Sequence, residues 1–139
     1  MKLLADTSVW SLALRRKPTA TLSAEERRLV AVLTEAIRDG RVVMVGPIRQ
    51  EILSGIKEQA QFDRLRTTLA AFRDEPIDTE DYEEAARGYN LCRAQGVQCG
   101  PVDILICAVV ARRKWSVLAN DAPLNRCLQV VAIAGEGPG

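Results

Sequence analysis

Four acids stand where apolar neighbours or element ends surround them: Asp6 after "MKLLA", Glu51 in "RQEILSG", Asp103 in "GPVDILICAVVARRK" and Asp121 in "LAND". The chain contains no histidine. That removes Ser-His-Asp and Cys-His nucleophile pairs, imidazole acid–base chemistry and imidazole metal sites together. An enzyme built from this chain therefore works with carboxylates. Two carboxylates about 4 Å apart repel by roughly 4 kcal/mol at an effective dielectric of 20, so three or four ionised acids in one place require a cation. Oxygen-only ligands select Mg²⁺, with Mn²⁺ as a substitute. Such a metal polarises a phosphoryl oxygen and lowers the pKa of bound water, which is the chemistry of phosphodiester hydrolysis.

Taken singly, each acid has a plainer reading. Asp103 complements a helix dipole, Asp121 forms a turn and caps a helix, Glu51 is a solvated helix residue, and Asp6 ends a strand. Their coincidence is what points to a site. Each falls on the strand-exit or helix-entry side of its unit, next to the most apolar segments.

The elements that must position them follow from the hydrophobic pattern. Residues 2–5 read as a buried strand, followed by a short helix carrying Val9, Leu12 and Ala13. "PTATLS" is a turn-rich connection ending at Ser23, which stands three residues before Glu26 in capping-box spacing. Leu29, Val30, Leu33 and Ile37 recur on one helical face, and Gly40 supplies the stop. "RVVMV" at 41–45 is a second strand. Pro47 opens a helix with Ile48, Ile52 and Ile56 at four-residue spacing, and Phe62, Leu65, Leu69 and Phe72 mark another. "EPI" around Ile77 is at best a short edge strand. Tyr82, Ala85, Ala86, Tyr89 and Cys92 make a helix stopping near Gly96, and the apolar helix from Pro101 should be central. "WSVLA" is a strand, 123–127 a short helix and "VVAI" a last strand. Strands alternating with helices predict an α/β fold, an α/β/α sandwich with a mostly parallel sheet. Such sheets bind ligands beyond the carboxyl ends of their strands, where Asp6 and Asp121 fall.

At 139 residues, the chain is expected to form one domain over 1–134, with 135–139 as a frayed tail. Nineteen basic and eighteen acidic residues nearly balance, so no polybasic signature announces a nucleic acid or an anionic membrane. The four cysteines, at 92, 99, 107 and 127, include no C-x-x-C pair. That speaks against a zinc site; a disulfide scaffold is not expected because the chain is long enough to fold without staples, and Cys107 reads as a core residue. Asp6 and "RRK" interrupt any leader peptide, and the longest apolar run, 104–111, is far shorter than the ~18 residues of a membrane span. The expectation is a soluble, cytoplasmic protein without membrane contact.

"LADTSVW", "RQEILSG", "PVDILICAVVAR" and "LAND", in that order and at these spacings, resemble the PIN domain. They look most like the VapC-type toxin ribonucleases of type II toxin–antitoxin systems. The resemblance implies a five-stranded sheet, a metal-dependent endoribonuclease, a homodimer, an RNA substrate and a VapB-type antitoxin that blocks the pocket. It implies Asp6 and Asp103 as Mg²⁺ ligands, with Glu51 and Asp121 completing a catalytic set of four. It also gives Thr7, Ser8 and Asn120 supporting side chains. After Asp121 the chain reads "APLNRC", where members often carry a second Asp and a Phe.

Two other functions compete. A receiver-like or dehalogenase-like phosphotransfer domain needs a phosphate-accepting Asp and a late Lys, and the chain has only four lysines, none after a late strand. A non-catalytic PIN-like module binding RNA or a partner should have lost one of the four acids. Trp10 or its neighbours, such as Leu14 beside "RRK", are expected to contact the antitoxin, the alternative being an ordinary core tryptophan.

Overall fold

The computed structural model describes residues 1–14 and 21–135, with side chains through 131. Three expectations fall outside it: the "RRK" segment, the start of "PTATLS", and most of the tail. The chain divides into two compact units, Met1–Glu75 with Ser116–Asn120, and Pro76–Trp115 with Asp121–Gly139.

The first unit is built on β1 (Leu3–Ala5), whose three residues are all buried. α1 (Thr7–Leu14) follows at once and buries Val9, Trp10 and Leu12. α2 (Ala24–Arg38) begins with the capping box read from the sequence: the Glu26 amide donates to Ser23 Oγ at 3.1 Å and the Ser23 amide to Glu26 Oε1 at 2.9 Å. Its buried face is Leu29, Leu33 and Ala36, while Ile37 points outward at 39 % exposure. Gly40, at φ +67°, then turns the chain into β2 (Val42–Val43). α3 (Gly46–Leu53) has Pro47 in its first turn and ends before Gly55, also left-handed at φ +83°, so Ile56 lies beyond the helix. α4 (Gln59–Leu69) packs on α3, and Arg49 of α3 fastens the pair. Its guanidinium donates to the Leu69 carbonyl at 2.9 Å, to the Phe72 carbonyl, and to Asp74 at 2.9 Å.

The last strand of this unit is β3 (Ser116–Leu118). The sheet is parallel in the order β2-β1-β3, with Leu3 level with Val42 and Ser116, and Ala5 level with Leu118. Among the described residues it has three strands, not the expected five. The "EPI" region contributes one isolated bridge, Met44 to Asp74. "VVAI" is not a strand at all but part of a long helix.

The second unit is three packed helices: α5 (Thr79–Ala94), α6 (Pro101–Arg113) and α7 (Ala122–Gly135). α6 buries Ile104, Ile106, Cys107, Ala108, Val109 and Val110, as its uniformly apolar sequence demands. Gly88 of α5 makes the close packing possible. A Cβ there would meet Ile104 Cδ1 at 3.0 Å and Val131 Cγ2 at 3.4 Å. α5 starts with a second capping box, Asp78 and Asp81. No described helix is long and apolar enough to cross a membrane.

Candidate active site

In the first unit, Asp6 sits just past the carboxyl end of the central strand. Its amide continues the β1–β3 ladder, donating to the Leu118 carbonyl at 2.9 Å. Its own carbonyl accepts from the amides of Val9 and Trp10 at 3.0 and 3.2 Å, starting α1. The main chain of Asp6 thus belongs to a strand on one side and a helix on the other, which fixes the direction of its side chain. β1 has β2 on one flank and β3 on the other, so this is the point where the strand order switches, the usual ligand crevice of a parallel sheet.

The carboxylate of Asp6 is buried, at 6 % exposure, and neutral donors reach it. Ser8 Oγ donates to Asp6 Oδ2 at 3.0 Å, with the Ser8 amide at 3.4 Å. Ser8 Oγ in turn accepts from the Asn120 amide at 3.1 Å, which leaves its proton directed at Asp6. Glu51, on α3, is exposed, and its Oε1 accepts from Thr7 Oγ1 at 2.8 Å. Two consecutive hydroxyl residues in the first turn of α1 therefore each hold one acid. Thr7 and Ser8 act through their side chains, whereas Asn120 contributes its main-chain amide. Glu51 lies in the second turn of its eight-residue helix and not at the helix entry.

In the second unit, Asp103 occupies the first turn of α6, half-buried, behind Gly100 at the N-cap. Its carboxylate leans back over that cap: a Cβ on Gly100 would stand 3.8 Å from Asp103 Oδ2. It lines an open pocket of about 660 Å³, with Tyr89, Arg93, Cys99 and Pro123 among the other walls. Asp121 flanks the start of α7, its carbonyl accepting from the Asn125 amide at 3.1 Å. Asp103 and the head of α7 thus border the same space, through Pro123.

Two features escaped the sequence reading. Cys99 and Cys127 are joined in a disulfide, with Cα atoms 6.3 Å apart, and the Cys92 sulfur belongs to the same cluster, all three within 4.8 Å of one another. Separations of 7 and 28 residues carry no signal, and the expectation against a disulfide scaffold did not anticipate this single bond. Cys107 is buried and lies outside the disulfide, a core residue as read. The second feature is Asp81, fully buried, which receives both Arg112 and Arg113. Trp10 is also corrected. At 2 % exposure it packs edge-to-face on Phe72, centroids 5.2 Å apart, and offers no surface for a partner.

Within the first unit, Asp6 and Glu51 offer carboxylate oxygens steadied by hydroxyls, donors that suit a hard divalent cation.

Residues 3–127 match the family described as PIN domain. The structure is similar to the crystal structure of FitAcB from Neisseria gonorrhoeae, with a TM-score of 0.69 and 17 % sequence identity over 94 % of this chain and 93 % of that one, a likeness of fold. No curated protein matches the sequence.

Proposed function

Since this chain belongs to the PIN domain family, whose members are generally nucleases and typically use divalent metal ions, we propose that it is a Mg²⁺-dependent endoribonuclease, the toxin of a toxin–antitoxin pair. The observation that carries the reading is the paired acid–hydroxyl arrangement past β1, Ser8 on Asp6 and Thr7 on Glu51. A solvated glutamate and a strand-ending aspartate have no need of two adjacent hydroxyls. Acids that must keep a set direction do.

In this reading Asp6 and Asp103 hold Mg²⁺ or Mn²⁺, and Glu51 and Asp121 complete the carboxylate set. The bound metal would supply a polarised phosphoryl oxygen and an acidified water. Ser8 and the Asn120 amide orient Asp6, and Thr7 orients Glu51. With no histidine in the chain, a carboxylate is left to take the proton of the attacking water. Residues 1–134 act as one functional domain. An RNA substrate, a VapB-type antitoxin, homodimerisation and a cytoplasmic location belong to the same reading.

The test is direct. Purified protein should cut RNA internally with Mg²⁺ or Mn²⁺, EDTA should stop it, and Asp6→Asn should abolish it. Binding of RNA without cleavage in any metal would favour the non-catalytic PIN-like module instead. Cleavage that continues in EDTA would remove the metal from the reaction.

A further inference from the structure

The cysteine cluster lies in the second unit, outside the acid set, and the fold does not require it. A chain of 139 residues buries a sufficient core without a covalent staple. Yet the Cys99–Cys127 bond connects two functionally placed segments. Cys99 directly precedes Gly100, the N-cap of α6, three residues further on stands Asp103, and Cys127 is on α7, whose flank is Asp121. Cys127 and Cys92 are buried, whereas Cys99 is half-buried and lines the 660 Å³ pocket that Asp103 and Arg93 also line.

We propose that Cys99, Cys127 and Cys92 form a thiol–disulfide exchange site, entered at Cys99 by a small-molecule thiol, whose state sets whether the Asp103 end of α6 is tied to α7. The entry point follows from access, because Cys99 is half-buried and lines the pocket whereas Cys127 is buried. A thiolate attacks Cys99 Sγ, a new S–S bond forms, the old one breaks, and its electron pair leaves on Cys127 Sγ, which takes a proton. The released Cys127 thiol has an acceptor in place, the Gln98 carbonyl at 3.8 Å. A second thiolate then attacks the sulfur of the incoming group, the small disulfide departs, and Cys99 is protonated. Two small thiols are thereby oxidised to one disulfide while the protein gains two thiols. Alternatively the Cys92 thiolate attacks Cys99, expels the small thiol and leaves a Cys92–Cys99 bond. Burial raises the pKa of the Cys92 thiol, so Cys92 rests protonated and serves as the resolving group, not the first attacker.

A metal centre is the rival use of three sulfurs. Structural zinc takes four protein ligands, and the cluster offers three among the described residues. The coupling to cleavage rests on the nuclease reading, but the exchange chemistry does not.

The experiment is alkylation mapping by mass spectrometry on the whole purified chain, equilibrated in graded mixtures of reduced and oxidised glutathione. After oxidised mixtures and denaturation, two thiols should alkylate, Cys92 and Cys107, and after reduced mixtures all four. In Cys99→Ser, which removes the accessible member of the cluster, Cys92 and Cys127 of the folded chain should stay reduced in oxidised glutathione. Four alkylated thiols at every ratio in the wild type would overturn the proposal, as would a folded Cys99→Ser chain in which glutathione oxidises Cys92 and Cys127 as readily as it oxidises the wild type. Reduced protein challenged with Zn²⁺ should retain none after gel filtration. One equivalent that shields Cys92, Cys99 and Cys127 from alkylation would replace the switch with a metal centre. RNA cleavage in Mn²⁺ should differ several-fold between oxidised and reduced wild type and not at all for Cys99→Ser with Cys127→Ser. An exchange map as expected with no cleavage in either state would defeat the nuclease reading alone. Equal cleavage in both states would defeat the coupling.

Discussion

Asp81→Asn should cost the protein about 3 kcal/mol, and the loss should vanish in acid. Asp81 Oδ1 accepts from Arg112 at 2.6 Å and from Arg113 at 2.7 Å, and Oδ2 accepts from Arg113 at 2.7 Å and from the Asp78 amide at 2.9 Å. The side chain has no exposure. Removing one partner of a buried ion pair costs about 3–5 kcal/mol, because it strands the other charge. Here the arginine side chains keep 29 % and 23 % exposure, Arg112 retains Asp78 and Glu80, and Arg113 retains the Pro76 carbonyl. The stranded charges stay partly solvated, which places the cost at the low end. An unfolding entropy of about 2.1 cal/mol/K per residue gives roughly 0.3 kcal/mol/K for a chain of this length, so the melting temperature should fall by about 10 °C.

The pH dependence has a definite sign. The guanidinium of Arg113, ahead of the Asp78 amide and Arg112, holds the Asp81 carboxyl well below the usual carboxylate range against the opposing effect of burial. A depressed folded pKa means the unfolded chain takes up its proton first. The contribution is therefore complete above the unfolded value of about 3.9 and is lost as pH falls from there toward the folded value. Urea titrations of wild type and Asp81→Asn, followed by tryptophan fluorescence, should show a constant gap at neutral and mildly acidic pH that narrows in strong acid. A gap under about 0.5 kcal/mol at neutral pH, or one unchanged in strong acid, would refute the reasoning.

Ser8→Ala removes the partner of Asp6 and of the Asn120 amide together, and should lower stability by about 1–2 kcal/mol as well as cleavage. Thr7→Val touches an exposed bond to Glu51, so its stability should stay within about 0.5 kcal/mol while kcat falls; an unchanged kcat would deny Glu51 its orientation by Thr7. Trp10 Nε1 is buried with no hydrogen-bond partner among the described residues, so Trp10→Phe should regain about 1–3 kcal/mol of desolvation against lost packing and end near neutral in a thermal melt. Reducing the Cys99–Cys127 bond should lower stability by about 3–4 kcal/mol, from a closed loop of 28 residues, measured as urea midpoints with and without reductant.

How much of this was legible depended on whether the signal was local. β1 and its terminal Asp6 were readable because a buried strand followed by an acid leaves few alternatives, and Ser23 with Glu26 because a capping box is a fixed spacing. The last helix was not. Val130 and its neighbours are β-branched, but Leu124, Cys127 and Val130 are buried at three-residue spacing, and packing on α5 and α6 overrides strand propensity. On α5 the expected face holds at Ala85 and Cys92 but not at Tyr82, Ala86 or Tyr89. Tyr82 and Tyr89 stand outside at 56 % and 41 % exposure, while Asp81, Ala85, Gly88 and Cys92 line the interior. Asp81 is inside because two arginines, thirty-one and thirty-two residues away, meet it there. Partners that distant leave no trace in periodicity, and the same holds for Cys99 and Cys127.

The two missed features act on one helix. α6 carries Asp103 in its first turn and Arg112 and Arg113 in its last, about 15 Å apart along the axis at 1.5 Å per residue. Asp81 fixes the far end through charge, and the Cys99–Cys127 bond fixes the near end through a covalent link just before the N-cap. The apolar middle is packed against α5 and α7, and the directional anchors at both ends add to that packing. Of the two, only the near one responds to a thiol, and it is the one beside the acid. In the proposed switch, opening it would leave the Asp81 anchor and the core in place. A loss of order confined to the first turn of α6 would then move Asp103 without unfolding the unit, which is the separation a reversible control on a carboxylate site requires.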